Sequence, residues 1–530
     1  MSDKILAHSA RAEQSRSALL PLLRRLHFYI GLFIGPFIFV AALTGALYVM
    51  TPQLEAALYS HQLYTSSQGP EKTLAEQVRV AEDYIGPQAT ITALRPAPTA
   101  GETTRVMFTV PTKGSATTAV FVDPHTLEIR GMLNVYGTSG VLPLRTTLDY
   151  LHQSLLLGEA GRNYSELAAS WLWVASLGGL LLWATSRAPG KIKKGHRSRG
   201  QSLLRHRYWH STLGVALLLG LLFFSATGLT WSRWAGENIS SMRSHFGWLT
   251  PSVNTQLSPS AEEHHMASAL SAHNETGEHS GHSVPVSGDE PGEHAGHSVP
   301  VSGDESGEHA GHSVPASRNI PHQPADEHAE HKMQAMTMAE ESVAKVAILP
   351  EQFDAVVKTA RDAGISAGKI EVRPSTLADK AWTVSEIDRR WPTQVDSVAV
   401  DPRNYALLDK VEFAQFGLLA KLTRWGVDAH MGVLFGLPNQ LILAVFALGL
   451  CVMIVMGYRL WWLRRPAAGQ GPHPAETLLY HWRRLSLSAR FILLVGGVAL
   501  ALSLPLMGIT LLIMLVIDLL RWQRANRIAA

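Results

Sequence analysis

FYIGLFIGPFIFVAALTGALYVM, the run Phe28–Met50 that follows His27, and YWHSTLGVALLLGLLFFSATGLTWS, the run Tyr208–Ser232 that contains His210, decide how this chain is read. Neither contains Asp, Glu, Lys or Arg. Aligned on their histidines, both carry a glycine at +4 (Gly31, Gly214) and a Thr-Gly pair at +17 and +18 (Thr44-Gly45, Thr227-Gly228). Three further charge-free segments lie at Leu167–Thr185, Met431–Tyr458 and Phe491–Ile517. About 20 apolar residues suffice to cross a bilayer as a helix. In a chain of 530 residues, five such segments exclude a soluble globular protein.

Charge placement orients the segments. The stretch 186–207 has eight Lys or Arg and no acid, 459–490 has six against one, and the tail 519–530 has three and none. Segment 1–27 has five against two, whereas 51–166 has eight against eleven acids. By the positive-inside rule the basic stretches are cytoplasmic and both long loops lie outside. A single crossing by the fifth segment would strand the basic tail outside. A hairpin turning near Pro505–Gly508 returns it, for six spans. The first run is too long for a cleaved signal peptide, and its repeat partner argues that it stays.

The second half continues the repeat at an offset of 278. Arg95-Pro96 matches Arg373-Pro374, and Val122-Asp123-Pro124 matches Val400-Asp401-Pro402. His152 matches His430, Gly158 matches Gly436, Gly179 matches Gly457, and Trp183 matches Trp461. The chain reads as a mainly α-helical integral membrane protein built from a duplicated helix–outside domain–helix unit, with a C-terminal membrane hairpin added. It is a parallel repeat about an axis along the membrane normal. The expected order is a cytoplasmic N-terminus (1–26), span 27–50, outside domain 51–166, span 167–185 and basic loop 186–207. Span 208–232, outside domain 233–430, span 431–462, cytoplasmic loop 463–490, hairpin 491–520 and tail 521–530 follow. Each outside domain reads as a small α+β unit. Helices are expected at 73–84 and 350–363; strands at 90–95, 104–110 and 118–123, and at 369–374, 381–386 and 396–401.

One cysteine, Cys451, excludes disulfides, cysteine-held clusters and covalent c-type haem. Histidine carries the chemistry instead. His27 and His210 enter spans from the cytoplasmic flank; His152 and His430 stand outside, shortly before inward-going spans. A lone interfacial histidine is an ordinary polar group at the water boundary. Four in two repeat-related pairs, one pair per membrane face, point to function, because ionisable groups near membrane depth are costly. Imidazoles from facing helices can clamp a haem iron from both sides without a covalent link. The expected cofactors are two haem b groups, one held by His27 and His210 on the cytoplasmic side and one by His152 and His430 on the outer side. Gly45 and Gly228, five turns beyond the inner histidines, leave room for the outer macrocycle or let helices pack closely; Gly179 and Gly457 do the same for the inner one. Trp183 and Trp461 read as interfacial anchors. His206 has Leu23 as its repeat partner and is set aside. The outer pair requires a broken helix, with Leu144–Leu157 helical and Gly158–Asn163 as the break.

The motifs LHFYIG at Leu26–Gly31 with Thr44-Gly45, LHQSLLLG at Leu151–Gly158 and DAHMG at Asp428–Gly432 resemble those of PepSY-associated transmembrane proteins, also called iron-regulated or iron-uptake membrane proteins. The likeness covers nearly the whole chain outside one insertion. It implies a bacterial inner-membrane location with both termini cytoplasmic, PepSY-like outside domains, and two b-type haems. It also implies a ferric-siderophore reductase that passes electrons from a cytoplasmic or quinol donor to a chelate in the periplasm.

The insertion accounts for the growth of the offset from 183 to 278. Roughly 251–341 is low in complexity, and twelve of the 24 histidines lie between 264 and 331. Glu-His-x-Gly-His recurs with a period of 15, at His279 and His282, His294 and His297, and His309 and His312. Such a segment cannot bury a core and reads as disordered. It reads as a weak divalent-metal tether, imidazole favouring Zn, Cu, Ni and Fe, or as an expansion without a role. Against the reductase stand a non-redox metal-homeostasis protein using the same histidines and a PepSY-type regulatory scaffold. Nothing points to nucleic acid.

Overall fold

A computed structural model describes residues 18–111, 117–136, 141–186, 199–257, 344–465 and 473–529. The His-rich tract, with His279, His282, His294, His297, His309 and His312, lies outside the described residues. Among the described residues, four helices are long and apolar enough to cross a bilayer. They are α1 (Ala18–Tyr48), one at Gly158–Ala184, one at Leu437–Leu463 and one at Pro505–Ile528. The chain is a membrane protein.

Helix α1 is not regular. Ile30–Ile34 forms a π-turn immediately before Gly35-Pro36. Proline has no N–H and its ring crowds the carbonyl four residues back. That carbonyl is Leu32's, and the Tyr458 hydroxyl donates to it at 2.8 Å. Gly35 leaves the room: a Cβ there would stand 3.3 Å from the Tyr458 hydroxyl. A π-bulge inside an α-helix commonly marks a functional site.

After α1 and two short helices at Thr51–Leu58 and Ser60–Leu63 come α2 (Leu74–Ile85), capped by a Thr73–Glu76 capping box, and strands β1 (Thr90–Arg95), β2 (Thr104–Thr109), β3 (Thr117–Val122) and β4 (Ile129–Val135). Helices α3 (Pro143–Ser154) and α4 (Gly158–Ala184) follow. Leu155 and Leu156 take left-handed backbone, at φ 54° and 60°. The break therefore falls at 155–157, and Gly158–Asn163, expected as the break, already belongs to α4.

The segment 208–232, read as one straight span, is two helices. These are α5 (Arg199–Ala216) and α6 (Leu218–Thr230), bent by 60° at Leu217. No proline forces the bend. The Phe446 ring presses onto Gly220, closer than any Cβ would allow, so packing sets the elbow. Then come α7 (Trp234–His245), α8 (Glu351–Asp362), and strands β5 (Ile370–Arg373), β6 (Trp382–Glu386), β7 (Ser397–Val400) and β8 (Leu407–Val411). Helices α9 (Leu418–His430), α10 (Leu437–Leu463), α11 (Leu478–Trp482), α12 (Leu487–Ser503) and α13 (Pro505–Ala529) complete the order. The reversal at Leu504-Pro505 lies where the hairpin was expected. With 17 residues, α12 is about 25 Å long, short of a full hydrocarbon crossing. Asp518 of α13 is buried and fully used: it accepts from Tyr29 Oη at 2.6 Å and from the Leu478 and Leu479 amides, each at 2.9 Å. It ties α13 to α1 and caps α11.

The strands form one antiparallel sheet in the order β4-β3-β2-β1-β5-β6-β7-β8. Two separate outside domains were expected; the β1–β5 pairing joins them. That seam pairs Leu94 with Val372, two positions 278 apart. One face packs under α2 and α8 in a core of Val78, Phe353, Val356, Val106, Val120 and Trp382. The extra strands β4 and β8 are the sheet's edges. They carry a glycine or charged residues instead of an apolar alternation, so their sequences do not announce them.

On the other face Arg95 and Arg373 share one carboxylate. Glu371 meets Arg95 at 2.6 Å and Arg373 at 2.5 Å, with its own side chain 4% exposed. Burial alone would raise the Glu371 pKa, but the two guanidinium groups hold it below the ordinary glutamate value. Stabilisation from this group is therefore present above the unfolded pKa and is lost as pH falls through the depressed one. Glu371→Gln should leave two arginines without their counter-charge and destabilise the sheet by about 3 kcal/mol. Thermal melts should show wild type losing its advantage over the variant on acidification. Equal melting temperatures at neutral pH would contradict this role.

Candidate functional site

Helix α1 carries His27 and helix α5 carries His210. Their ring centres are 6.3 Å apart, at 73° between planes. A histidine nitrogen binds a transition metal at about 2.0–2.1 Å, so rings on opposite sides of one ion have centres roughly 6 Å apart. Each ring is seated by the second span of its own half. A Cβ on Gly179 of α4 would stand 3.1 Å from His27 Cε1, and one on Gly457 of α10 would stand 3.3 Å from His210 Cε1. These two glycines, expected to clear space for a macrocycle, make space for the imidazoles themselves.

His152 lies in the last turn of α3 and His430 ends α9, and both line one cavity of about 1290 Å³ between the helices and the sheet. Gly45 of α1 seats His152, where a Cβ would lie 3.3 Å from Cε1. Gly228 meets Ala169 instead, at 3.2 Å, which is helix packing, although both Gly45 and Gly228 also line the cavity. The His430 ring is held edge-on by Phe224 and Trp231, at 4.9 and 5.1 Å between centres.

Hydrogen bonds select the tautomer at three of the four histidines. His210 Nδ1 lies 3.0 Å from the Met453 carbonyl, which can only accept, so Nδ1 carries the proton. Thr44 Oγ1 donates to the Val40 carbonyl at 2.8 Å and therefore accepts from His152 Nδ1 at 3.0 Å. Thr227 Oγ1 donates to Phe223 at 2.8 Å and accepts from His430 Nδ1 at 2.7 Å. In all three the Nε2 lone pair is left for a metal, the arrangement that ligand histidines characteristically show. His27 Nδ1 is buried without a hydrogen-bond partner. Its α4 neighbour at the position equivalent to Met453 is Ala175.

The threonines of the two Thr-Gly pairs thus act on the outer histidines. The sequence flagged them by duplication, but their role needed the contact between α1 and α3 and between α6 and α9. His206 turns its Nδ1 to the Ser202 carbonyl of its own helix, at 2.7 Å, in keeping with setting it aside. The ring separation at the inner pair, and the cavity that both rings line at the outer pair, each fit a metal macrocycle held between two imidazoles. Among the described residues, no group of three or more His, Cys, Asp or Glu could hold a bare metal ion.

His27, and His152 seated against Gly45, belong to different levels of the bundle. Eighteen residues of α1 separate His27 from Gly45, about 25 Å along the axis, close to the thickness of a hydrocarbon core. The family model described as PepSY-associated TM region matches residues 24–464, which takes in all four histidines and the whole described sheet. No curated protein matches the chain.

Proposed function

We propose, for a chain that belongs to the PepSY-associated TM family, the role of an inner-membrane dihaem oxidoreductase. It carries electrons across the bilayer to a ferric chelate on the sheet side. Two b-type haems are the cofactors, the donor is a quinol or a cytoplasmic reductant, and both termini are cytoplasmic. The observation that carries the reading is one opposed histidine pair and a second pair lining one cavity at another level of the bundle, three of the four with Nε2 free by hydrogen bonding.

The duplicated unit is part of this reading. His27 on Gly179 and His210 on Gly457 are the same contact made twice, as are Thr44 on His152 and Thr227 on His430. Residues 278 apart also oppose each other at the sheet seam. Two copies of one ligand-bearing unit, facing each other, give two bis-histidine sites.

Haem bound at these sites would supply the one-electron Fe(III)/Fe(II) chemistry that no side chain offers. His27 and His210 hold it on one side of the membrane, and His152 and His430 on the other. Thr44, Thr227 and the Met453 carbonyl fix ring orientation and keep the protons on Nδ1. Ile38, Leu172, Phe224 and Phe446 make the cavity wall apolar beside the outer pair. Residues of the sheet, Arg95, Arg105, Glu371 and Arg373 among them, line the other end of the same cavity.

A reduced-minus-oxidised spectrum of the purified protein tests the reading. Two low-spin b-type haems per chain support it; a protein without haem overturns it and leaves the metal-homeostasis alternative. Thr227→Val keeps the side chain's shape but removes the acceptor for His430 Nδ1–H. Loss of such an outer partner lowers metal affinity by about 10–100-fold. Haem titration of this variant should show one weakened site and one of wild-type affinity.

A further inference from the structure

The cavity beside the outer histidines is charged in a lopsided way. Among the described residues, nine Arg or Lys line it against six Asp or Glu. Most of these carboxylates are committed. Glu386 accepts from the Ser366 and Ala367 amides at 2.7 and 2.8 Å, and Asp388 pairs with Arg390 at 2.8 Å.

Three of the basic residues stand together on the sheet. Arg105 of β2 stands directly opposite Arg95 of β1 in the ladder. Like charges in directly opposed positions are destabilising. Glu371 lies across the seam from Arg95 and also serves Arg373. The result is two arginines sharing one carboxylate with a third beside them, all on the cavity wall. Arg105 has no carboxylate within salt-bridge distance among the described residues; its guanidinium sits over the Phe121 ring at 5.4 Å. Removal from water pulls its pKa down to about 10, Arg95 adding to the effect and the carboxylates of Glu102 and Glu55 opposing it, and it stays charged at neutral pH. Like charges held together in a half-buried wall are relieved by an incoming anion, and the guanidinium fork matches carboxylate geometry.

Two further arginines on the cavity wall are tied to Asp428, two residues before His430. Arg424 precedes His430 on α9, and Arg389 reaches Asp428 at 2.6 Å and Met431. Both are already paired with Asp428, whereas Arg105 of the sheet row has no carboxylate within salt-bridge distance among the described residues.

We propose that Arg95, Arg105 and Arg373 form an anion subsite that selects a carboxylate-bearing, negatively charged metal chelate as the electron acceptor. This rests on the reductase reading for its purpose but not for its test. The probe is Ga(III)–citrate, which cannot be reduced, so binding is read whether or not electrons flow. The purified full-length protein should bind it with an affinity that falls as salt rises. It should bind a neutral Ga(III) hydroxamate at least tenfold more weakly. Arg105→Gln should weaken Ga(III)–citrate binding about tenfold, with haem content and spectrum as in wild type. Arg373→Gln, at a more exposed position, repeats the measurement if Arg105→Gln fails to fold. Equal binding of the charged and neutral chelates, or unchanged binding in a folded variant, overturns the subsite. Loss or spectral shift of a haem in Arg105→Gln also overturns it, because the row would then serve the propionates. A haem-free wild type that still binds Ga(III)–citrate through Arg105 would sink the reductase reading and leave the subsite standing.

Discussion

Alanine at His430 or His152 is expected to cut haem from two per chain to one, and the haem that survives is the one held by His27 and His210. Alanine at His27 or His210 is expected to do the reverse. The physical ground is that each proposed site would offer iron two imidazoles, and among the described residues no group of three or more His, Cys, Asp or Glu is placed to hold a metal. Outer-site variants should still take up an electron at the inner haem from a donor on its own side. Either loss should stop reduction of a chelate on the sheet side. Haem per chain and difference spectra for the four variants decide the matter. Retention of both haems in all four would show that the ligands lie elsewhere.

A methyl-bearing side chain at Gly179 should do as much damage as removing His27. The Cβ alone would stand 3.1 Å from His27 Cε1, so valine, with two more carbons, has to displace the ring. The inner pair then loses its opposed geometry while His27 itself is still present. Gly178 gives the contrast, since a Cβ there would lie 3.9 Å from His27 Nδ1, an ordinary contact. Gly179→Val is expected to lose the inner haem and keep the outer one; Gly178→Ala is expected to keep both. Inner-haem retention in Gly179→Val would mean that α4 does not seat the ring.

Much of this arrangement was legible before any coordinates. A charge-free run such as Phe28–Met50 needs only its own composition to require lipid or a core, because backbone polar groups satisfy each other within a helix. The strands 90–95 and 104–110 were found to within a residue, since alternation reports directly on a sheet with one packed face. The offset of 278 placed Leu94 and Val372 in equivalent positions. It did not say that they would be hydrogen-bonded neighbours, because an offset records ancestry and not proximity.

What the sequence determined alone was local or repeated: the apolar runs, the alternating charge of the loops, the strand cores, and four histidines in two equivalent pairs. What only the tertiary structure decided was contact between distant segments. It merged two expected domains into one sheet, because the exposed edges of β1 and β5 could satisfy each other's backbone groups. It bent the third span at Leu217, where Phe446 from a helix more than 200 residues away fills the space over Gly220. It turned Thr44 and Thr227 from helix residues into proton acceptors for histidines on other helices. It also set Arg95 beside Arg105 and left one of them without a carboxylate. Side-chain periodicity shows which face of an element is buried. Which partner waits on that face is settled by packing, and the chemistry of both candidate sites depends on that partner.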